Sequence, residues 1–351
     1  VEDLVTPAFW RGRRVLVTGH TGFKGAWLSL WLETLGADVT GLALPPHTAP
    51  SLFTAARPRI RDIAGDIRDA EAVARAVAAS DPEIVFHLAA QSLVRRSYRD
   101  PVETVAVNVT GTAVVLNTLR AAKNLRAVVV ATTDKVYRNG DDGRPFREDD
   151  PLGGRDPYSA SKAAAELVTS AMAESFLDAP VATARAGNVI GGGDWSEDRI
   201  VPDIWRAIRS GTPLALRHPD ATRPWQHVLD PLYGYLLYAE RLAAGAGVPR
   251  ALNFGPLPGV PITVGEVAGT MLASLGAEQR WQRAGDPGPH EMKMLALDPA
   301  RAIAALDWRP RLDARAAIAR TADWYRRFDR GADARALCLD DIARFAGRIA
   351  A

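Results

Sequence analysis

The stretch that most constrains this chain is a strand that runs straight into a glycine turn and leaves it as a helix. The β-branched run Arg14 to Thr18 enters Gly19-His20-Thr21-Gly22-Phe23-Lys24-Gly25, and a helical apolar pattern follows through Trp27, Leu28, Leu30, Trp31, Leu32 and Leu35. Glycines there let backbone approach a pyrophosphate, and the helix N-terminus that follows attracts its charge. The spacing is GxxGxxG, and its context predicts a dinucleotide site formed by Gly19, His20, Thr21, Gly22, Phe23, Lys24 and Gly25. The second predicted strand, Asp38 to Leu44, closes on Gly41-Leu42-Ala43-Leu44-Pro45-Pro46. It offers neither the acid that reads an NAD ribose nor the Arg that accommodates NADP, so this position selects neither cofactor.

The next segments alternate in the same way. A third strand ends at Gly65-Asp66-Ile67, where Asp66 can accept from an adenine amine and Ile67 can pack on the ring, or Asp66 can simply cap a turn. Glu83 to Leu88 reads as a fourth strand, and Leu88, Ala89, Ala90, Gln91 and Ser92 carry it past a cofactor with small residues. Pro101 to Ala122 is predicted as one long amphipathic helix, packed in the core or at a subunit interface.

The fifth strand, Ala127 to Ala131, delivers Thr132-Thr133-Asp134-Lys135 at its carboxyl end, where open α/β sheets bind ligands. A hydroxyl, a carboxylate and an amine in succession form an acid/base set, although Thr-Asp after a strand also serves as a helix cap. A charged loop then leads to Tyr158-Ser159-Ala160-Ser161-Lys162. Residues four apart share a helix face, so Tyr158 and Lys162 point into one site, and an ammonium beside the phenol is expected to lower its pKa. Val181 to Ala186 is a sixth strand, followed by Gly187 and Asn188. The C-terminal third is less periodic, with Trp281, Pro287, His290 and Glu291 read as loop, and it shows no repeat or long linker.

With 351 residues the chain can build two domains, and its net charge of +2 describes a mixed surface. No Lys/Arg cluster with interleaved aromatics marks a nucleic-acid site. The single cysteine, Cys338, excludes an internal disulfide framework and fits a reducing compartment. No membrane association and no metal are expected: apolar runs stay short of the ~18 residues that span a bilayer. Val1-Glu2-Asp3-Leu4 lacks the features of a signal peptide, so the expected location is cytoplasmic.

Taken together, Thr18-Gly19-His20-Thr21-Gly22-Phe23-Lys24-Gly25, His87-Leu88-Ala89-Ala90-Gln91, Thr132 to Lys135, Tyr158 to Lys162, and Arg185-Ala186-Gly187-Asn188-Val189 resemble the extended short-chain dehydrogenase/reductases that act on nucleotide sugars. Phe9-Trp10-Arg11-Gly12, Asp134-Lys135 and Arg223-Pro224-Trp225-Gln226-His227-Val228 draw the resemblance toward dehydratases of cytidine-linked sugars. It implies an α/β fold: a Rossmann-type doubly wound parallel sheet with a smaller C-terminal α/β substrate domain. Residues 1–187, with return segments about 226–254, would hold the cofactor, and 188–225 with 255–351 the substrate.

The implied cofactor is NAD, with NADP not excluded by the sequence, bound also by Asp66, Ile67, Leu88, Ala89, Ala90, Thr132, Tyr158 and Lys162. The implied substrate is a nucleotide-diphosphate sugar, CDP-glucose, contacted by Ser92, Asn188, Arg199, Arg223, Asn253 and His290. In the implied reaction Tyr158, assisted by Lys162 and Thr133, deprotonates the 4-hydroxyl as carbon 4 is oxidised. Lys135 removes the carbon 5 proton, Asp134 protonates the departing 6-hydroxyl, and hydride returns to carbon 6. A lysine base must be uncharged, and if Lys135 instead pairs with Asp134 its role is electrostatic. A homodimer, or a dimer of dimers, and a place in deoxysugar formation for surface polysaccharides are also implied. Competing expectations are a dehydratase or 4-epimerase for GDP-mannose, dTDP-glucose or UDP-glucose, and a redox-sensing binding protein without catalysis.

Overall fold

The computed structural model describes residues 5–257, 259, 262–278, 280–285, 292 and 294–347. Six strands arrive first: β1 (Arg14–Thr18), β2 (Asp38–Ala43), β3 (Arg61–Ala64), β4 (Ile84–His87), β5 (Ala127–Ala131) and β6 (Val181–Ala186). Four short ones follow, β7 (Val189–Ile190), β8 (Leu214–Leu216), β9 (Gln226–His227) and β10 (Ala251–Phe254), and then β11 (Trp281–Arg283). The main sheet has seven strands in the order β10-β6-β5-β4-β1-β2-β3, and every pair is parallel. This is a doubly wound α/β fold, and the strand order reverses at β1, between β2 and β4.

Its strands are apolar on both faces because helices cover both. Val15, Leu16 and Val17 of β1 are all fully buried. On one side the helix Phe23–Thr34 is buried without a break from Gly25 to Leu32, as an apolar-all-round helix at the centre of a core must be. On the other, Leu16, Val85 and Val128 pack with Val73 and Ala76 of the helix Ala70–Ser80 and with Val115 and Leu116 of the helix Gly111–Leu119. The register pairs Thr18 with His87, His87 with Val130, and Ala131 with Ala184. The loops after β1, β4, β5 and β6 therefore open along one edge, and the site lies there.

Two expectations are corrected. The run Pro101 to Ala122 is not one α-helix: Pro101–Val105 and Gly111–Leu119 are separated by a π-helical segment, Ala106–Thr110. The wider turn holds Asn108, fully buried, where its Oδ1 accepts from the Gln91 N–H at 2.9 Å and its Nδ2 donates to the Gln91 carbonyl at 3.0 Å and Ser161 Oγ at 2.9 Å. This run is long and apolar enough to cross a membrane by length and composition, yet Val115, Leu116 and Leu119 are buried in the core. Trp281, read as loop, begins β11, which pairs with β8. Its partner lies 67 residues away in register, Trp281 on Leu214, beyond what local pattern can report.

Candidate active site

The turn after β1 is shaped by what glycine alone permits. Gly19 has a positive φ of 79° and lies so close to β4's loop that a Cβ would sit 2.6 Å from the Ala89 nitrogen. At Gly25 a Cβ would meet the Gly19 carbonyl at 2.2 Å. The helix Phe23–Thr34 begins at Gly22 with no side-chain cap, so its first N–H groups face the cleft without a side-chain partner there. Such an end, flanked by Leu44, Asp66, Ile67, Leu88, Ala89 and Ala90, fits a dinucleotide. The cleft, of about 550 Å³, continues from there past Thr132, Thr133, Asp134, Lys135, Tyr158 and Lys162 to Asn188, Arg199 and Arg223.

At the end of β5 the chain makes a single 3-10 turn, Asp134–Val136, capped by Thr133. The Thr133 hydroxyl donates to Asp134 Oδ1 at 2.9 Å. Lys135 Nζ lies 3.0 Å from the same Asp134 Oδ1 and donates to Asn188 Oδ1 at 3.5 Å. Asp134 Oδ2 is buried with no hydrogen-bond partner among the described residues. Gly187 passes so close that a Cβ there would lie 3.0 Å from that oxygen.

Tyr158 and Lys162 sit on one face of the helix Pro157–Phe176, both buried. Burial pushes Tyr158 up to about 12; the Thr133 hydrogen bond opposes this, Asp134 reinforces it and Arg199 opposes it. The expected phenol-lowering ammonium acts elsewhere, because Lys162 Nζ donates to the Ala131 carbonyl at 3.3 Å. Burial lowers Lys162 to about 8, against the pull of Glu166 one turn on. Tyr158 is thus a phenol at neutral pH in this structure.

Other predicted residues take mixed places. His20 turns away from the cleft: its ring packs under Gly41, and Nε2 lies 2.8 Å from Asp62 Oδ1. Asp66 lines the cleft, but Arg68 grips its carboxylate at 2.6 Å, and this hydrogen bond lowers its pKa. Thr132 donates its hydroxyl to Glu166. Arg199 reaches Ser92 Oγ at 3.2 Å and Asp194 at 3.3 Å at the cleft wall. Asn253 lies elsewhere, fully buried, accepting from Tyr137 at 2.6 Å and donating to the Phe146 carbonyl at 2.9 Å. His290 lies outside the described residues.

Three groups do more than their sequence pattern reports: the motif reading takes Lys24 only as part of the glycine turn and assigns Glu166 and Asn108 no role. Lys24 reaches beyond the turn to donate to Tyr235 at 3.3 Å, and burial, with Arg199 and Lys162 nearby, lowers it to about 7 against the pull of Asp134. Glu166 binds Arg185, Thr132 and Thr183 in one buried cluster beneath Lys162. Its place four residues after Lys162 was the available signal. Asn108 is the third, and nothing in its local pattern distinguishes it.

The sequence model of the NAD dependent epimerase/dehydratase family matches residues 15–255. The chain is 45% identical over 343 residues to the CDP-glucose 4,6-dehydratase of Salmonella typhimurium, covering 94% of this chain and 95% of that protein. Among solved structures, a dTDP-glucose 4,6-dehydratase from Streptomyces venezuelae with NAD bound is similar at a TM-score of 0.74 and 30% identity, over 91% of this chain and 98% of that one. A UDP-glucose 4-epimerase from Thermus thermophilus in complex with NAD is similar at a TM-score of 0.78 and 28% identity, over 91% and 99% of the two chains.

Proposed function

Because the chain belongs to the NAD-dependent epimerase/dehydratase family, we propose that it converts CDP-glucose to CDP-4-keto-6-deoxyglucose with NAD as cofactor. The observation that carries the dehydratase reading is the Asp134–Lys135 pair, 3.0 Å apart in the cleft beside Thr133 and Tyr158. A 4-epimerase needs a proton acceptor at the 4-hydroxyl but no acid and base for elimination. The similarity to the Salmonella enzyme supports the cytidine nucleotide and glucose.

When bound, NAD supplies an acceptor and donor of hydride; the glycine turn and the open start of the helix Phe23–Thr34 would hold its pyrophosphate. Tyr158, once its phenol has given up its own proton, receives the proton of the sugar's 4-hydroxyl, with Thr133 beside it in the cleft and Lys162 supplying positive charge from the same helix face. The 4-ketone then acidifies carbon 5, whose proton Lys135 removes. Asp134, through its unpartnered Oδ2, protonates the 6-hydroxyl so that it leaves as water. Arg199 and Arg223 at the cleft wall are the cations for the diphosphate, with Ser92 and Asn188 nearer the sugar. We assign residues 1–187 and 226–254 to the cofactor half and the remainder to the substrate half.

A homodimer fits the outer faces of the helices after β4 and before β6. Val102, Val105, Leu167 and Phe176 are exposed there, Val102 by 81% and Leu167 by 62%. Sedimentation showing only monomer at micromolar concentration would remove this assignment.

The test is to incubate the protein and NAD with CDP-glucose, dTDP-glucose, UDP-glucose and GDP-mannose separately and follow product mass. Loss of one water from CDP-glucose alone is expected. Water lost from another sugar would replace the nucleotide, and isomerisation without loss of water would replace the reaction.

A further inference from the structure

The elimination proposed above asks two side chains of one short turn to act on neighbouring carbons, and this inference rests on that reading. Asp134 must reach the 6-hydroxyl while Lys135 reaches the carbon 5 hydrogen. A misplacement of about 1 Å can cost roughly a hundredfold in rate. The residues sit on a single 3-10 turn, Asp134–Val136, which is too short to fix its own place. Downstream its main chain is fastened to a loop: the Gly153 N–H donates to the Val136 carbonyl and the Arg138 N–H to the Pro151 carbonyl, both at 2.8 Å. What ties that end to the sheet is a side chain.

Tyr137 follows the turn directly and is fully buried, its ring stacked on Phe146 with centroids 4.8 Å apart. Its hydroxyl donates to Asn253 Oδ1 at 2.6 Å and accepts from Arg185 Nη1 at 2.8 Å. Those two residues are register partners on the adjacent strands β10 and β6, so both leave the sheet on one face and meet at one hydroxyl. Arg185 also grips Glu166 with Nε on Oε1 at 3.0 Å and Nη2 on Oε2 at 2.8 Å, and neither side chain is more than 5% exposed. Glu166 in turn accepts from the Thr132 hydroxyl at the upstream end. One buried ion pair therefore holds both ends of the segment from Thr132 to Tyr137. We infer that Tyr137 is a positioning residue of the elimination, its hydroxyl pinning the Asp134–Lys135 turn to the Arg185–Glu166 pair.

Tyr137 does not line the cleft, so it acts through the turn. Burial raises its phenol to about 12, with Glu148 adding to this and Arg185 and Asn253 opposing it. It therefore keeps its proton at working pH and remains both donor to Asn253 and acceptor from Arg185. Thr133, beside Tyr158, lies upstream and is held by the strand itself, since the Thr132 N–H donates to the Ala184 carbonyl at 2.9 Å. Loss of the Tyr137 hydroxyl thus loosens the acid and base of the elimination and leaves the oxidation site in place. The two halves of the reaction should separate.

The experiment mixes NAD-loaded wild type and Tyr137→Phe rapidly with CDP-glucose, following reduced-nicotinamide absorbance and, in quenched samples, loss of water by mass. Substrate with deuterium at carbon 4 marks which phase is the oxidation. Phenylalanine keeps the stack on Phe146 and removes the hydroxyl. In Tyr137→Phe nicotinamide reduction should keep its wild-type rate while loss of water falls roughly tenfold to a hundredfold, so that reduced nicotinamide accumulates. A tyrosine that merely supports the fold would slow both phases together. That result, or loss of water at the wild-type rate, overturns the inference. If Tyr137→Phe does not fold, Asn253→Ala removes the hydroxyl's acceptor, leaves Arg185 in place and is judged by the same two phases. If wild type takes water from a different nucleotide sugar, the comparison is made with that sugar. If it takes water from none, the proposed function fails and the positioning role with it.

Discussion

Lys135 and Asp134 share one oxygen contact, and that contact sets what each can do. Lys135 Nζ lies 3.0 Å from Asp134 Oδ1, so the two roles weighed for it, base and electrostatic partner, part when the amine is removed. Lys135→Met keeps the length of the side chain and removes the amine. Carbon 5 exchange with deuterated solvent should fall roughly hundredfold, the scale of a lost general base. Exchange at the wild-type rate, followed by product mass, would leave Lys135 with electrostatics alone.

Among the elements, the strand-turn-helix at Arg14–Thr34 was legible because its constraints are local. A Gly25→Ala chain should lose cofactor affinity at least tenfold, since its Cβ would press on the Gly19 carbonyl at 2.2 Å and push the turn open. Calorimetric titration with NAD checks this, and unchanged affinity would mean the turn has slack that its packing does not show. The strand Ala127–Ala131 that delivers Thr132, and the shared face of Tyr158 and Lys162, were legible for the same reason. What escaped depends on contacts across the chain. Asn253 looks like any polar residue at a strand end, yet Tyr137, Phe146 and Glu148 enclose it. The π segment exists because Asn108 serves Gln91 and Ser161, 17 and 53 residues away. The phenol's high pKa likewise follows from burial, which helix spacing does not encode.

Across the whole molecule, the join between the sheet and the C-terminal helices carries buried charge that the chemistry does not use. Asp230, at the start of the helix Leu229–Ala243, is fully buried; Oδ1 accepts from the Arg311 N–H at 2.6 Å and Oδ2 has no partner among the described residues. Burial raises it to about 7, against the backbone N–H groups of Arg311 and Leu312 and the charges of Arg311 and Arg320. In the unfolded chain an aspartate titrates near ~3.9. The folded state therefore binds the proton more tightly, and Asp230's contribution is fully present below about pH 4 and is lost as pH rises through about 7. Asp230→Asn keeps the acceptor for Arg311 and never ionises. Linkage alone makes it more stable at pH 8 by up to about 4 kcal/mol. An amide nitrogen left where Oδ2 stands returns about 1–3 kcal/mol of that. A net gain of about 1–3 kcal/mol at pH 8, reversing to a loss of about 1–3 kcal/mol near pH 4 where the linkage gain is gone and the amide cost remains, is the expected signature in denaturant melts. A gain independent of pH would mean that Asp230 stays ionised in the folded protein, with Arg320 near enough to hold it.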